Sequence, residues 1–294
     1  MKKIIFLLTV LAIFTLSSCN DTPPENEVVS NNEVSVVTPN DNENVEEPSE
    51  ITEPEDDEPE AVKPQSVEEI IEFANSLNVD TSMTSFSLAD ILPDSQPDES
   101  EDAGDEYQNE TAYLGDSVTM GLSFFKNHPS KMVIAKGSIN PLDAVEKKLI
   151  ELEDGTAVNF PDALALTGAK RAVLTFGSNA ISIMSEETFL KYYIKLLDAI
   201  EEKNPDCEII IQSITPLATT CKLKKLNNEL VNRSNLLLLV LAYSRDLQFL
   251  DSTAHMKDDA GYLKIEYCSS DDGIHINELG YRVWIDILRH RKIG

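Results

Sequence analysis

Two short stretches hold the residues that could do chemistry. In the first, the apolar run Thr111-Ala112-Tyr113-Leu114 ends in Gly115-Asp116-Ser117, and a helix-forming pattern follows. A serine where a strand gives way to a helix presents its hydroxyl to the crevice at a sheet's carboxyl edge, which suits a nucleophile. The second stretch is Asp271-Asp272-Gly273-Ile274-His275-Ile276-Asn277. A histidine with a carboxylate three residues before it can be held through one ring nitrogen. Its other nitrogen then takes a proton from a serine. Either stretch alone also fits a bland role, a turn with a capping serine or a solvated loop histidine. Together they fit acyl transfer through a serine ester, with Ser117, His275 and Asp272 as the reacting set.

Such a set needs a frame that brings residues 117 and 275 together. Apolar strands are readable at 111–115, 132–136, 171–176, 207–214 and 247–251. Helical periodicity covers 118–127, 141–152, 185–203, 222–246 and 277–290, and Pro205 closes the third of these. Short buried strands alternating with helices predict an α/β fold, a parallel sheet covered on both faces. Asn277 is placed to cap the last helix, and Trp284 to pack that helix on the core.

Four blocks spread over residues 111–281 resemble the SGNH or GDSL hydrolases. Gly115-Asp116-Ser117 matches the first, Gly137 the second, Gly177-Ser178-Asn179-Ala180 the third, and Asp272-x-x-His275 the last. The resemblance implies a three-layer α/β/α sandwich on a five-stranded, flavodoxin-like parallel sheet. It implies Ser117 as nucleophile, His275 as base and Asp272 as its orienting acid, preferred to Asp271 because it keeps the spacing. The oxyanion would be held by the amides of Ser117 and Gly137 and the side chain of Asn179. Asp116 is read as a structural acid bracing the turn. Ala180 departs from the pattern, which usually has an acid there. No metal or organic cofactor is implied, and no cluster with metal-ligand spacing argues for one.

The chain's net charge of -28 is concentrated in one segment: residues 20–110 carry 28 acidic side chains against the single Lys63. Few aromatics accompany them, so this segment is expected to be a disordered tether to a domain at 111–294. A short helix at 66–78 interrupts it, with Ser66 and Glu69 at capping-box spacing, and a transient helix is the simpler expectation. The nearly neutral remainder has no basic footprint for nucleic acid. Residues 1–19 read as an export signal whose ending, Leu16-Ser17-Ser18-Cys19, resembles a bacterial lipobox, with Cys19 as the lipid-bearing residue. That places the protein outside the cytoplasm, anchored to a membrane.

Cys207, Cys221 and Cys268 then form an odd set, of which Cys221 and Cys268 are a candidate pair. His255 is expected to be a loop residue, and His128 and His290 surface positions. Phe124 and Phe125 are expected in the core of the first helix, with an acyl-pocket role as the alternative. The reading of the whole is a surface-anchored serine esterase that removes small acyl groups, acetyl among them, from carbohydrate. An acyltransferase on the same residues, a lipase or thioesterase, and a non-catalytic binding module are the alternatives.

Overall fold

The computed structural model describes residues 62–125, 128, 130, 132–269 and 272–293. The signal segment, Cys19 and the first part of the tether lie outside them. Five parallel strands, β1 (Thr111–Gly115), β2 (Val133–Ala135), β5 (Arg171–Thr175), β6 (Glu208–Gln212) and β7 (Gln248–Leu250), lie in the order β2-β1-β5-β6-β7. A separate two-stranded hairpin joins β3 (Ile150–Glu151) to β4 (Ala157–Val158).

Alternation along the central strands sorts their side chains to two sides. Ala112, Leu114, Ala172, Leu174, Ile209 and Ile211 face one apolar cluster, while Tyr113, Val173 and Ile210 face the other. The first side is covered by α4 (Pro141–Glu146), α5 (Phe160–Thr167), α6 (Glu186–Lys203) and α7 (Asn228–Ser244). The second is covered by α3 (Ser117–Met120), its 3₁₀ continuation Gly121–Phe124, and α9 (Glu278–Arg289). The result is the three-layer sandwich with a five-stranded parallel sheet.

Helix bounds shift where capping chemistry intervenes. Asn227 accepts the amide of Leu230, so α7 begins there and not at 222. Lys147 turns extended, ending α4 well before residue 152. The hairpin and α5 carried no expectation; α5 is started by Asn159 and Pro161 and closed by Gly168 in the left-handed region.

The expectation of a disordered tether reaching residue 110 is corrected. Residues 62–110 are a strap packed on the sandwich. Ser66 and Glu69 form the capping box of α1 (Val67–Ser76), and the helix buries Val67, Ile70 and Ala74 against α6 and α7. Phe73 stacks on Tyr243 at 5.5 Å, and Asn232 donates to the carbonyl of Thr81. The strap then passes the edge strand β7, where Gln248 donates to Asp94 O. It goes on to grip the end of α9, and α2 (Gly104–Asn109) leads it into β1. Arg289 pairs with Asp102 and Asp105, and Arg291 with Glu99. The amides of Ser100 and Ala103 bond the carbonyls of His290 and Arg289. Glu99, Asp102 and Asp105, which resemble part of a solvated tail, are the partners of the C-terminal arginines.

Three smaller expectations also change. Cys207, Cys221 and Cys268 are separate thiols, so Cys221 and Cys268 are not paired. His128 is not a surface residue: its ring meets Tyr113 edge-on at 5.0 Å, and burial pushes its pKa down to about 4. Phe125 is buried as expected, but Phe124 is 75% exposed.

Candidate active site

β1 ends on a glycine because nothing larger fits. A Cβ on Gly115 would stand 2.0 Å from Thr119 Oγ1 and 2.4 Å from the carbonyl oxygen of Thr175. The chain turns at Asp116, whose carboxylate accepts the Val118 amide at 3.0 Å, and Ser117 opens α3. At the other end of the molecule, Gly273 adopts φ +74° in close contact with the backbone of Cys221. Its carbonyl accepts the Ala218 amide, which seats the histidine loop on the loop following β6. Asn277 caps α9 and, through its amide nitrogen, also ties the carbonyls of Glu266 and Cys268.

These two supports bring residues 158 positions apart into contact. His275 Nε2 lies 2.8 Å from Ser117 Oγ, and His275 Nδ1 lies 2.5 Å from Asp272 Oδ2. The other oxygen of Asp272 accepts the amides of Ile274 and His275 at 2.8 and 3.0 Å. Burial pushes the Asp272 carboxyl up, but the hydrogen bonds from the His275 ring and the two amides outweigh it, and the group titrates below the usual carboxylate range. A carboxylate kept ionised on Nδ1 fixes the proton there and leaves Nε2 as an acceptor for the serine hydroxyl.

Parallel register lines up the remaining candidates. Gly115 is level with Ala135 of β2 and Thr175 of β5, so Ser117, Gly137 and Gly177 each stand two residues beyond the same level. Gly137 lies in the turn after β2, where a Cβ would touch Met120 of the serine's helix at 3.8 Å. Asn179 Nδ2 is buried without a hydrogen-bond partner, an uncommon state for a side-chain donor.

The loop that carries Asn179 is held from below. Asp116 is fully buried and accepts Ser178 Oγ at 3.1 Å as well as the Gly177 amide; burial pushes its pKa up against those bonds. Ala180, where the family pattern usually has an acid, is 0% exposed among core side chains, and its amide closes a turn onto Gly177 O at 2.7 Å. The loop is braced here by Asp116 and Ser178.

Ser117 and His275 open onto a hollow of about 330 Å³ also lined by Met120, Gly121, Phe124 and Ile276. A larger hollow, about 710 Å³, lies farther along α9 between Glu99, His255, Lys264 and His290, and holds none of the three residues. His255 and His290 thus stay apart from the site, although His255 lies in a one-turn helix, α8 (Thr253–Met256), and not in a loop. Ser178 and Tyr281 were not singled out from sequence; Tyr281 bonds Val118 O at 2.6 Å. Its position on the apolar side of the last helix was the available signal. Among the described residues no group of three or more histidine, cysteine or acidic side chains is arranged to hold a metal ion.

No family model and no curated relative matches the sequence. Solved structures do match in fold. A provisionally assigned acylhydrolase from Bacteroides fragilis aligns over 69% of this chain and 95% of its own, at 14% identity and a TM-score of 0.50. A provisionally named platelet activating factor from Streptococcus pneumonia aligns over 76% and 91%, at 18% identity and 0.49. A GDSL-like lipase from Bacteroides thetaiotaomicron aligns over 64% and 89%, at 13% identity and 0.48. Fold and site together define an α/β sandwich with a serine–histidine–aspartate line at the carboxyl edge of its first strand. The chain has the SGNH/GDSL hydrolase fold.

Proposed function

We propose that the protein is a serine esterase of the SGNH/GDSL family that hydrolyses short acyl esters carried on carbohydrate. What supports the esterase reading above all is the unbroken line from Ser117 Oγ through the His275 ring to Asp272. Ser117 attacks the ester carbonyl and its proton passes to His275 Nε2. The oxygen that becomes negative is held by the amides of Ser117 and Gly137 and by Asn179 Nδ2, a buried donor with no other partner. His275 then protonates the departing alcohol. Water, deprotonated by the same nitrogen, releases the acid and restores Ser117.

The anchor rests on the chain's N-terminal sequence, and the carbohydrate assignment on that location together with the resemblance to a family that includes carbohydrate deacetylases. A lipid on Cys19 and the acidic stretch beyond it would hold the domain outside the cytoplasm, facing envelope or environmental polysaccharide. Incubating the full chain with acetylated xylan and acetylated peptidoglycan tests the substrate, read as free acetate, with a serine-directed phosphonate to label Ser117. Absence of both labelling and turnover would remove the esterase reading. Retention of a Cys19→Ser variant in the membrane fraction would remove the anchor.

A further inference from the structure

We propose that the 330 Å³ hollow beside Ser117 is the subsite for the acyl chain, and that Phe124 sets the length of chain it accepts. This rests on the esterase reading and names which side of the ester enters which part of the site.

The lining carries the argument. Met120, Phe124, Phe125 and Ile276 supply apolar surface next to the serine and histidine. Most polar groups that border the hollow are already committed within the fold. Asn277 Oδ1 accepts the Leu279 and Gly280 amides, and its Nδ2 donates to two carbonyls. Tyr281 donates to Val118 O, and Glu278 takes Arg282 at 2.7 Å. Among the described lining residues, the Ser269 side chain has no such bond, and Arg282 engages one of the two Glu278 carboxylate oxygens. A sugar here would forfeit hydrogen bonds with water and find few in return, whereas an aliphatic chain loses nothing.

Phe124 is exposed beside the site. Its neighbour Phe125 turns inward, against His128 and beneath Arg282, while Phe124 lines the hollow and stays exposed. The volume is about twice the ~150 Å³ of an apolar cavity that accepts a benzene ring, well beyond the needs of an acetyl methyl. Chains of about four to six carbons fit inside it, with Phe124 as part of the wall they meet.

The test is a series of water-soluble p-nitrophenyl esters, acetyl, butyryl and hexanoyl, with the full chain. At ~0.8 kcal/mol per buried methylene, kcat/KM rises about fourfold for each CH₂ from acetyl to butyryl. Phe124→Ala lowers the butyryl and hexanoyl values about tenfold, mainly through KM, and the acetyl value no more than about threefold. Phe124→Leu recovers most of the chain preference. A series that is flat or falls with chain length, or an equal loss on all three esters in Phe124→Ala, overturns the assignment. Ethyl and hexyl phosphonates separate the two levels: equal labelling of Ser117 by both sinks the acyl subsite and leaves the esterase reading standing. No labelling and no turnover sinks both.

Discussion

Tyr281 donates its phenolic hydrogen to the carbonyl oxygen of Val118 at 2.6 Å, joining the helix that follows His275 to the helix that begins at Ser117. The same hydroxyl fills the space a side chain at Gly121 would need, since a Cβ there would lie 1.7 Å from it. The two halves of the site are therefore registered by one phenol and one glycine. Tyr281→Phe is expected to cost about 1 kcal/mol, because the Val118 carbonyl keeps its bond to the Gly121 amide. It should lower kcat more than it raises KM. Gly121→Ala should cost over 2 kcal/mol by overpacking, and part of that should vanish in the Tyr281→Phe background. Equal costs in both backgrounds, measured by denaturant unfolding, would show that the contact does not couple the helices.

Asn179 and Asp272 should fail differently. Loss of one oxyanion donor typically costs about 10²–10³ in turnover, the range expected for Asn179→Ala, with little change in KM. Asp272 oxygens hold both the His275 ring and the loop amides, so Asp272→Asn removes the proper partner for Nδ1 while keeping the loop. A fall of about 10⁴ is expected, with a thermal midpoint close to the parent's. Ser117→Ala should leave only background hydrolysis. Parent-like initial rates for Ser117→Ala on p-nitrophenyl acetate would exclude the mechanism.

His128 predicts acid sensitivity of the fold. Its folded pKa is about 4 against 6.5 in an unfolded chain, because burial disfavours the imidazolium. Between those values the unfolded state binds the extra proton, so stability is lost as pH falls from about 6.5 toward 4, by at most about 3 kcal/mol. Ser130 donates its amide to His128 Nδ1 at 3.0 Å, and an asparagine offers a similar acceptor. His128→Asn should flatten that part of the pH profile. Urea midpoints across pH 4–8 that fall as steeply in the variant as in the parent would assign the loss to other groups. Asp272, held below 3.8, contributes stability present above 3.8 and lost only as pH falls through its lower folded value.

Truncation separates two views of the domain. Ile70 and Leu88 are buried in the main apolar cluster, and each contributes about 1.5–3 kcal/mol by burial alone. Removing the strap would forfeit much of the 5–15 kcal/mol that holds an ordinary domain together. A chain starting at residue 62 is expected to unfold in one sharp transition. One starting at 105 should melt at least 10 °C lower or aggregate. Matching calorimetric midpoints for the two would mean that the strap contributes nothing.

Much of this was legible from local pattern. The strand at 111–115 and that at 171–176 declared themselves by continuous apolar runs, and Ser117, His275 and Asp272 by spacing. The strap was misread because its information is not local. Asp102, Asp105 and Glu99 look like solvated charges until Arg289 and Arg291, some 190 positions later, are placed beside them. Leu88 lies in the short mixed run Phe86–Leu92, which carries neither a clear helical nor a clear strand period to mark it as core. Helix α5 escaped because Pro161 resembles a breaker, although at the first turn it is an initiator. Phe124 shows the reverse limit, since only coordinates tell an aromatic that faces the site from one that faces the core.

The strap meets the sandwich at α1 and reaches β1 only after passing an edge strand and the last helix. Were the polypeptide held at its start, any traction on it would be borne first where Ile70 and Ala74 dock, tens of residues ahead of Gly115. The strand that carries the nucleophile would thereby be insulated from mechanical load.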